Sequence, residues 1–127
     1  MKKITTKTAE FSLDKRGFLK IVFLNNAEDI DESEVSEHIK AANEISGYSK
    51  LAVLADVRLG SHSIDKKAKE MIAAYNMKKA EAIIINSLAH RIIGNFYLKL
   101  SKRMNKNFPV KLFLNEKEAI QWLLTYV

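Results

Sequence analysis

Apolar and polar residues alternate over residues 8–13, with Ala9, Phe11 and Leu13 set against Thr8, Glu10 and Ser12. A period of two predicts a strand with one wet face. Asp14-Lys15-Arg16-Gly17 follows as a hairpin turn, with Gly17 suited to positive φ. Residues 18–24 are apolar except for Lys20, the pattern of a strand covered on both faces. The period then changes. Val35, Ile39, Ala42 and Ile45 recur at helical spacing, Asp29 or Asp31 offers a cap, and Gly47 offers a stop. Residues 51–57 read as a second buried strand and residues 59–63 as a loop. Ile64, Ala68, Met71, Ile72 and Tyr75 form one face of a second helix.

Residues 82–85, with three consecutive isoleucines, predict a short central strand. Asn86 or Ser87 caps a third helix. Its apolar face gathers Ala89, Ile92, Ile93, Phe96, Tyr97, Leu100 and Met104, and the opposite side carries Arg91, Asn95, Lys99, Lys102 and Lys106. Residues 110–114 form the last strand. Asn115, with Glu118 three residues on, opens a closing helix that turns Ile120, Leu123 and Leu124 inward and sets Trp122 and Tyr126 on a flank. The order is β-β-α-β-α-β-α-β-α. Strands separated by helices pair in parallel through right-handed crossovers, and the opening hairpin is antiparallel. The expectation is an α/β fold: a mixed five-stranded sheet with four helices, as a single domain over residues 1–127.

Composition adds little to this, but charge adds something. The net charge of +6 is unevenly spread: residues 28–44 hold seven acids and one base, and residues 78–111 hold eight bases and one acid. Such two-sidedness steers association, with a partner or with a second copy of the chain. Cysteine is absent, which excludes disulfides and thiolate metal sites. No apolar run approaches the roughly 18 residues of a membrane span. The first residues lack the apolar centre of a signal peptide, so a cytoplasmic location is expected.

Three features together resemble STAS-type domains, the fold of the SpoIIAA-like anti-sigma factor antagonists, and more closely the small bacterial proteins grouped as STAS and CRAL-TRIO-like. They are the opening hairpin, the apolar strand Leu51-Ala52-Val53-Leu54-Ala55-Asp56-Val57-Arg58 ending in Asp-x-Arg, and the ending Phe113-Leu114-Asn115-Glu116-Lys117-Glu118-Ala119-Ile120-Gln121-Trp122-Leu123. The resemblance covers nearly the whole chain. It implies a SpoIIAA-like fold and a non-enzymatic regulatory or protein-interaction module, with a protein partner or homodimer. The antagonists carry a phosphorylatable Ser in the loop before the second helix, which makes Ser61 and Ser63 the candidate phospho-acceptors here. Their short Asp-Ser-Ser/Thr-Gly pattern is absent, and the plainer reading is that Ser63 caps the helix. Lipid-binding relatives of the fold imply an alternative function, binding of a small apolar ligand or lipid.

Candidate chemistry is sparse. Ligands of open α/β sheets bind beyond the carboxyl ends of the strands, where Asp56, Arg58, Ser61, His62, Asn86 and Ser87 should lie. Ser61-His62-Ser63 with Asp65 suggests a hydrolase, but adjacent loop residues point apart and no G-x-S-x-G elbow is present. His38, His62 and His90 share no metal-ligand spacing, and no metal or cofactor is expected. His38 is expected to be a solvated surface residue. Arg91, Lys99, Lys102 and Lys106 form a candidate interaction face. With Phe96 and Tyr97 turned inward, that face offers no stacking platform for nucleic acid. Leu88 and Leu98 fall outside the apolar arc of the third helix. Gly94 within it allows either close packing or a kink.

Overall fold

A computed structural model describes residues 2–104 and 108–127, with residue 104 described by its backbone alone. The elements run β1 (Lys3–Thr5), β2 (Ala9–Leu13), β3 (Leu19–Phe23), α1 (Glu32–Ser46), β4 (Leu51–Asp56), α2 (Lys66–Ala74), β5 (Lys78–Ile84), α3 (Leu88–Met104), β6 (Val110–Phe113) and α4 (Glu116–Leu123), with a closing 3-10 turn over Leu124–Tyr126. Among the described residues the strands form one sheet whose spatial order is the chain order. β1, β2 and β3 are antiparallel, and β3 to β6 are parallel. The mixed α/β class with four helices and an antiparallel opening is the one expected. The sheet has six strands rather than five. The added strand, β1, pairs Ile4 with Phe11 and is too short to show a period. No helix among the described residues is long and apolar enough to cross a membrane.

Each parallel strand sits beside the one before it, so successive right-handed crossovers step the same way and put their helices on one face. α1, α2 and α3 therefore share a face, and α4, which follows the last strand, takes the other. The α4 face is tightly filled. Ala52, Ala80 and Ala82 present small side chains, so Ala119 and Leu123 of α4 come close to Leu54, Ile84 and Phe113. Trp122 stacks against Phe113 and Tyr126, with ring centres 5.6 and 5.0 Å away. Leu124 is exposed there, because the turn that follows α4 rotates it away from the sheet.

Local signals set the boundaries. Gly17 takes φ +99° in the β2–β3 turn, and Gly47 at φ +64° receives the end of α1. Asp31, Asp65 and Asn115 accept the first free amides of α1, α2 and α4 at 2.9, 2.8 and 2.8 Å. Ser87 does the same for His90 in α3 at 3.1 Å. The α2 cap is a correction: Asp65 holds the helix start, not Ser63.

β5 is longer than its isoleucines suggest and starts at Lys78. Leu51 pairs with Lys78, but Ala52 pairs with Ala80, so Lys79 is an extra residue bulged out of the ladder. In a regular strand residues 78 and 81 would face opposite sides. The bulge reverses the parity at Lys78 and turns it to the same face as Glu81.

Candidate functional site

The face under α1, α2 and α3 is not closed. A cavity of about 480 Å³ lies there, walled by Phe11, Ile21 and Phe23 of the antiparallel strands, Ala55, Ile83 and Ile85 of the parallel ones, and Ile39, Ile72 and Tyr97 of the helices. Its origin is the seating of α3. The helix meets the sheet at β6 and leans on α2, leaving the centre of the sheet uncovered. Gly94 settles there as a close-packing residue, since a Cβ would stand 3.0 Å from both methyls of Leu112. Small lining residues, Ala42, Ala55 and Gly60, widen the space.

At its deep end the cavity holds a charge pair absent from the sequence-based expectations. Lys78 Nζ donates to Glu81 Oε1 at 2.9 Å, and Tyr97 Oη donates to the same oxygen at 2.7 Å. Lys78 and Glu81 are buried, and the ammonium lies 5.7–5.9 Å from the ring centres of Tyr75, Tyr97 and Phe108. Burial, reinforced by the Glu81 charge, raises the Tyr97 phenol well above its ordinary value and keeps it a donor. The signal present in the sequence is a Lys and a Glu three apart beside an apolar run.

The other end is open, at the carboxyl ends of β3, β4 and β5. Ser61, His62, Ser87 and His90 line it. His62 Nδ1 lies 2.7 Å from the Glu28 carbonyl and His90 Nε2 lies 3.1 Å from the Gly60 carbonyl. A carbonyl only accepts, so these nitrogens carry the protons. The second nitrogens, His62 Nε2 and His90 Nδ1, are buried without a hydrogen-bond partner among the described residues.

The expected loop group is thus only partly assembled. Ser61, His62 and Ser87 reach the cavity. Asp56 and Arg58 do not: Asp56 alternates with Ala52 and Leu54 onto the α4 face, where Arg58 grips it through Nε and Nη2 at 2.9 and 2.8 Å. Burial alone would raise the Asp56 carboxyl, but the hydrogen bonds from Arg58 outweigh it and hold the pKa below the usual value. Asn86 is tied to the Arg58 carbonyl at 3.1 Å. Ser61 and Ser63 are exposed, and Ser61 Oγ donates to the Asn26 carbonyl at 3.4 Å. Ser63 lies two residues before Asp65, the cap of α2. The Ser-His-Asp grouping is likewise dispersed, with Asp65 engaged as a cap and His62 on a carbonyl.

His38 is also a correction. It is not solvated but 12% exposed, wedged edge-on against Phe11 and Phe23. Its Nε2 is 2.7 Å from Thr8 Oγ1 and 3.1 Å from Glu34 Oε2, which also accepts from Thr6 Oγ1 and the Thr8 amide. Burial lowers the His38 pKa despite the attraction of Glu34. On α3, Arg91, Lys99 and Lys102 are exposed as expected, and Lys106 lies outside the described residues. Phe96 does not turn inward: it is 52% exposed, with Lys69 Nζ 5.1 Å from its ring centre. Ile92 is exposed too, because α3 rides on β6 rather than on the sheet centre. Leu88 is exposed on this same side, across the sheet from Trp122 and Tyr126, so they form no common patch.

The family model described as a domain of unknown function, DUF7793, matches residues 11–127. The chain belongs to this family. Among solved structures, this DUF7793 chain is similar to an uncharacterized protein of the DUF3478 family with a SpoIIAA-like fold from Shewanella loihica PV-4. The two are 10% identical, with a TM-score of 0.59 over 96% of this chain and 90% of that one. The DUF7793 chain therefore has a SpoIIAA-like fold. No curated protein matches it.

Proposed function

We propose that the protein is a non-enzymatic binder of a small, largely apolar molecule, held between the sheet and α1, α2 and α3. The observation that carries this is the cavity of about 480 Å³ walled by Ile and Phe side chains. Protein interiors pack densely and leave few voids larger than a water molecule, whereas ligand sites typically run from about 300 to 1,000 Å³. The resemblance to STAS and CRAL-TRIO-like bacterial proteins supports the same reading by analogy of fold. Native mass spectrometry of protein purified from its own cells tests it, together with uptake of Nile red. A retained small molecule, or dye uptake abolished by Ala55→Phe, supports the reading. Dye uptake that Ala55→Phe leaves unchanged means surface adsorption and removes it.

A regulatory, protein-interacting role draws on a separate observation. Leu88, Ile92 and Phe96 lie four residues apart on α3 and are 73%, 62% and 52% exposed. Arg91, Lys99 and Lys102 accompany them, and residues 28–44 supply a complementary acidic surface. The partner this combination fits is a second copy of the chain. A concentration-dependent dimer lost in Ile92→Glu supports it; a monomer at all concentrations removes it.

A further inference from the structure

Resting on the ligand-binding reading, we infer that Lys78, Glu81 and Tyr97 receive the head of an elongated ligand, and that this head is an uncharged hydrogen-bond acceptor such as the carbonyl of an ester, ketone or amide.

Direction comes from exposure. Of the lining residues, Lys78, Glu81 and Leu100 are buried, while Ser61, Ser87 and Ala89 are exposed, so the charge pair lies at the buried end of the cavity and the loop residues at its open one. With Lys79 bulged out, Lys78 to Ile85 is six strand steps and covers about 20 Å at about 3.3 Å per residue. Between the two ends the sheet offers only apolar side chains, Ile83 and Ile85 on β5 and Ala55 on β4. A ligand spanning this distance is an apolar chain whose inner end meets the charge pair.

Chemistry of the head comes from counting donors. Lys78 has three N–H groups. One donates to Glu81 Oε1 at 2.9 Å, and a second reaches Tyr97 Oη at only 3.4 Å. The aromatic rings of Tyr75, Tyr97 and Phe108 enclose the ammonium and offer no strong acceptor. Tyr97 gives its proton to Glu81. The site thus has donor capacity left on Lys78 and a matched pair of charges beside it. A neutral carbonyl takes the remaining N–H and leaves that balance intact. A carboxylate would add an uncompensated negative charge among apolar walls, which is unfavourable.

The bulge at Lys79 gives the arrangement its specificity. A regular β5 would carry Lys78 to the α4 face and set Lys79 beside Glu81, so the bulge decides which lysine enters the cavity. Bulges that re-aim a side chain recur beside functional sites.

The test compares decane, methyl decanoate and decanoate as competitors of Nile red, in the wild-type chain and in the Lys78→Met/Glu81→Leu double variant. The double variant removes both charges together and so leaves neither stranded. In the wild type, methyl decanoate should bind about ten-fold or more tighter than decane, in keeping with a hydrogen bond to a charged donor, and also tighter than decanoate. In the double variant the ester's advantage over decane should vanish while decane still binds. Decane binding with no preference for the ester, or a preference that survives the double substitution, overturns the head-group assignment and leaves the cavity reading intact. A preference for decanoate that is lost in Lys69→Ala overturns it in favour of a head at the open end. If none of the three competes and the dye itself does not enter, both readings fall.

Discussion

Gly94 of α3 lies over Leu112 of β6 so closely that a Cβ would meet both leucine methyls at 3.0 Å. Ala at this position gains about 1 kcal/mol of helix propensity and must displace only the tip of a leucine. Gly94→Ala should therefore change stability by no more than about 1 kcal/mol. Gly94→Val overfills the contact and should cost about 1–3 kcal/mol. Urea denaturation of the two variants measures the difference, and equal midpoints would mean that α3 does not rest on Leu112.

Removing one half of the Lys78–Glu81 pair strands the other in an apolar cavity. Glu81→Leu alone should destabilise by about 3–5 kcal/mol, whereas Lys78→Met/Glu81→Leu should cost only the roughly 1–3 kcal/mol of leaving the Tyr97 hydroxyl without its acceptor. A double-mutant cycle in urea reads the coupling. A single variant as stable as the wild type would show that Lys78 reaches water.

The pH response should be dominated first by His38. Its folded pKa is lowered from 6.5, chiefly by burial, with the nearby His62 acting in the same direction. The unfolded ring therefore binds a proton more readily than the folded one, and stability rises with pH in that window. The contribution is complete above 6.5 and is lost as pH falls through the lowered folded value. Glu34 and Asp56, whose pKa values are also lowered, add further losses at more acid pH. Thermal unfolding between neutral pH and about pH 5 should show a decline that His38→Gln flattens. An unchanged slope in His38→Gln would exclude the assignment.

Asp65 and Ser63 compete as the cap of α2, and the hydrogen bond to Ala68 belongs to Asp65. Asp65→Ala should cost about 1 kcal/mol, and Ser63→Ala should fall within about 0.5 kcal/mol of the wild type. A reversed order in chemical denaturation would restore Ser63 as the cap.

Most of the fold was legible because its signals are local. Period-two runs, helical spacing, Asp31, Gly47 and Asn115 each act within a few residues, and apart from β1 and the start of β5 the elements appear where their patterns lie. What escaped depends on distant partners. The parity of Lys78 is set by a register slip against Leu51 and Ala52, which no spacing within β5 reveals. His38 looks solvated beside its acidic neighbours, yet Thr8, Phe11 and Phe23 close over it from the other side of the chain. The cavity is a matter of how far α3 stands off. The apolar face of α3 read as uniformly buried because periodicity shows which residues point together, not how near the sheet they come.

Because the spatial order of the strands equals their chain order, every sheet pairing joins segments that are consecutive along the chain. No strand has to wait for a distant one or thread between two already placed. Loop-closure entropy is then met in separate steps, the two hairpin closures being short and the three parallel ones each spanning a helix and slower to form. Assembly can spread outward from the β2–β3 hairpin one strand at a time, and the last helix is the piece that seals the opposite face.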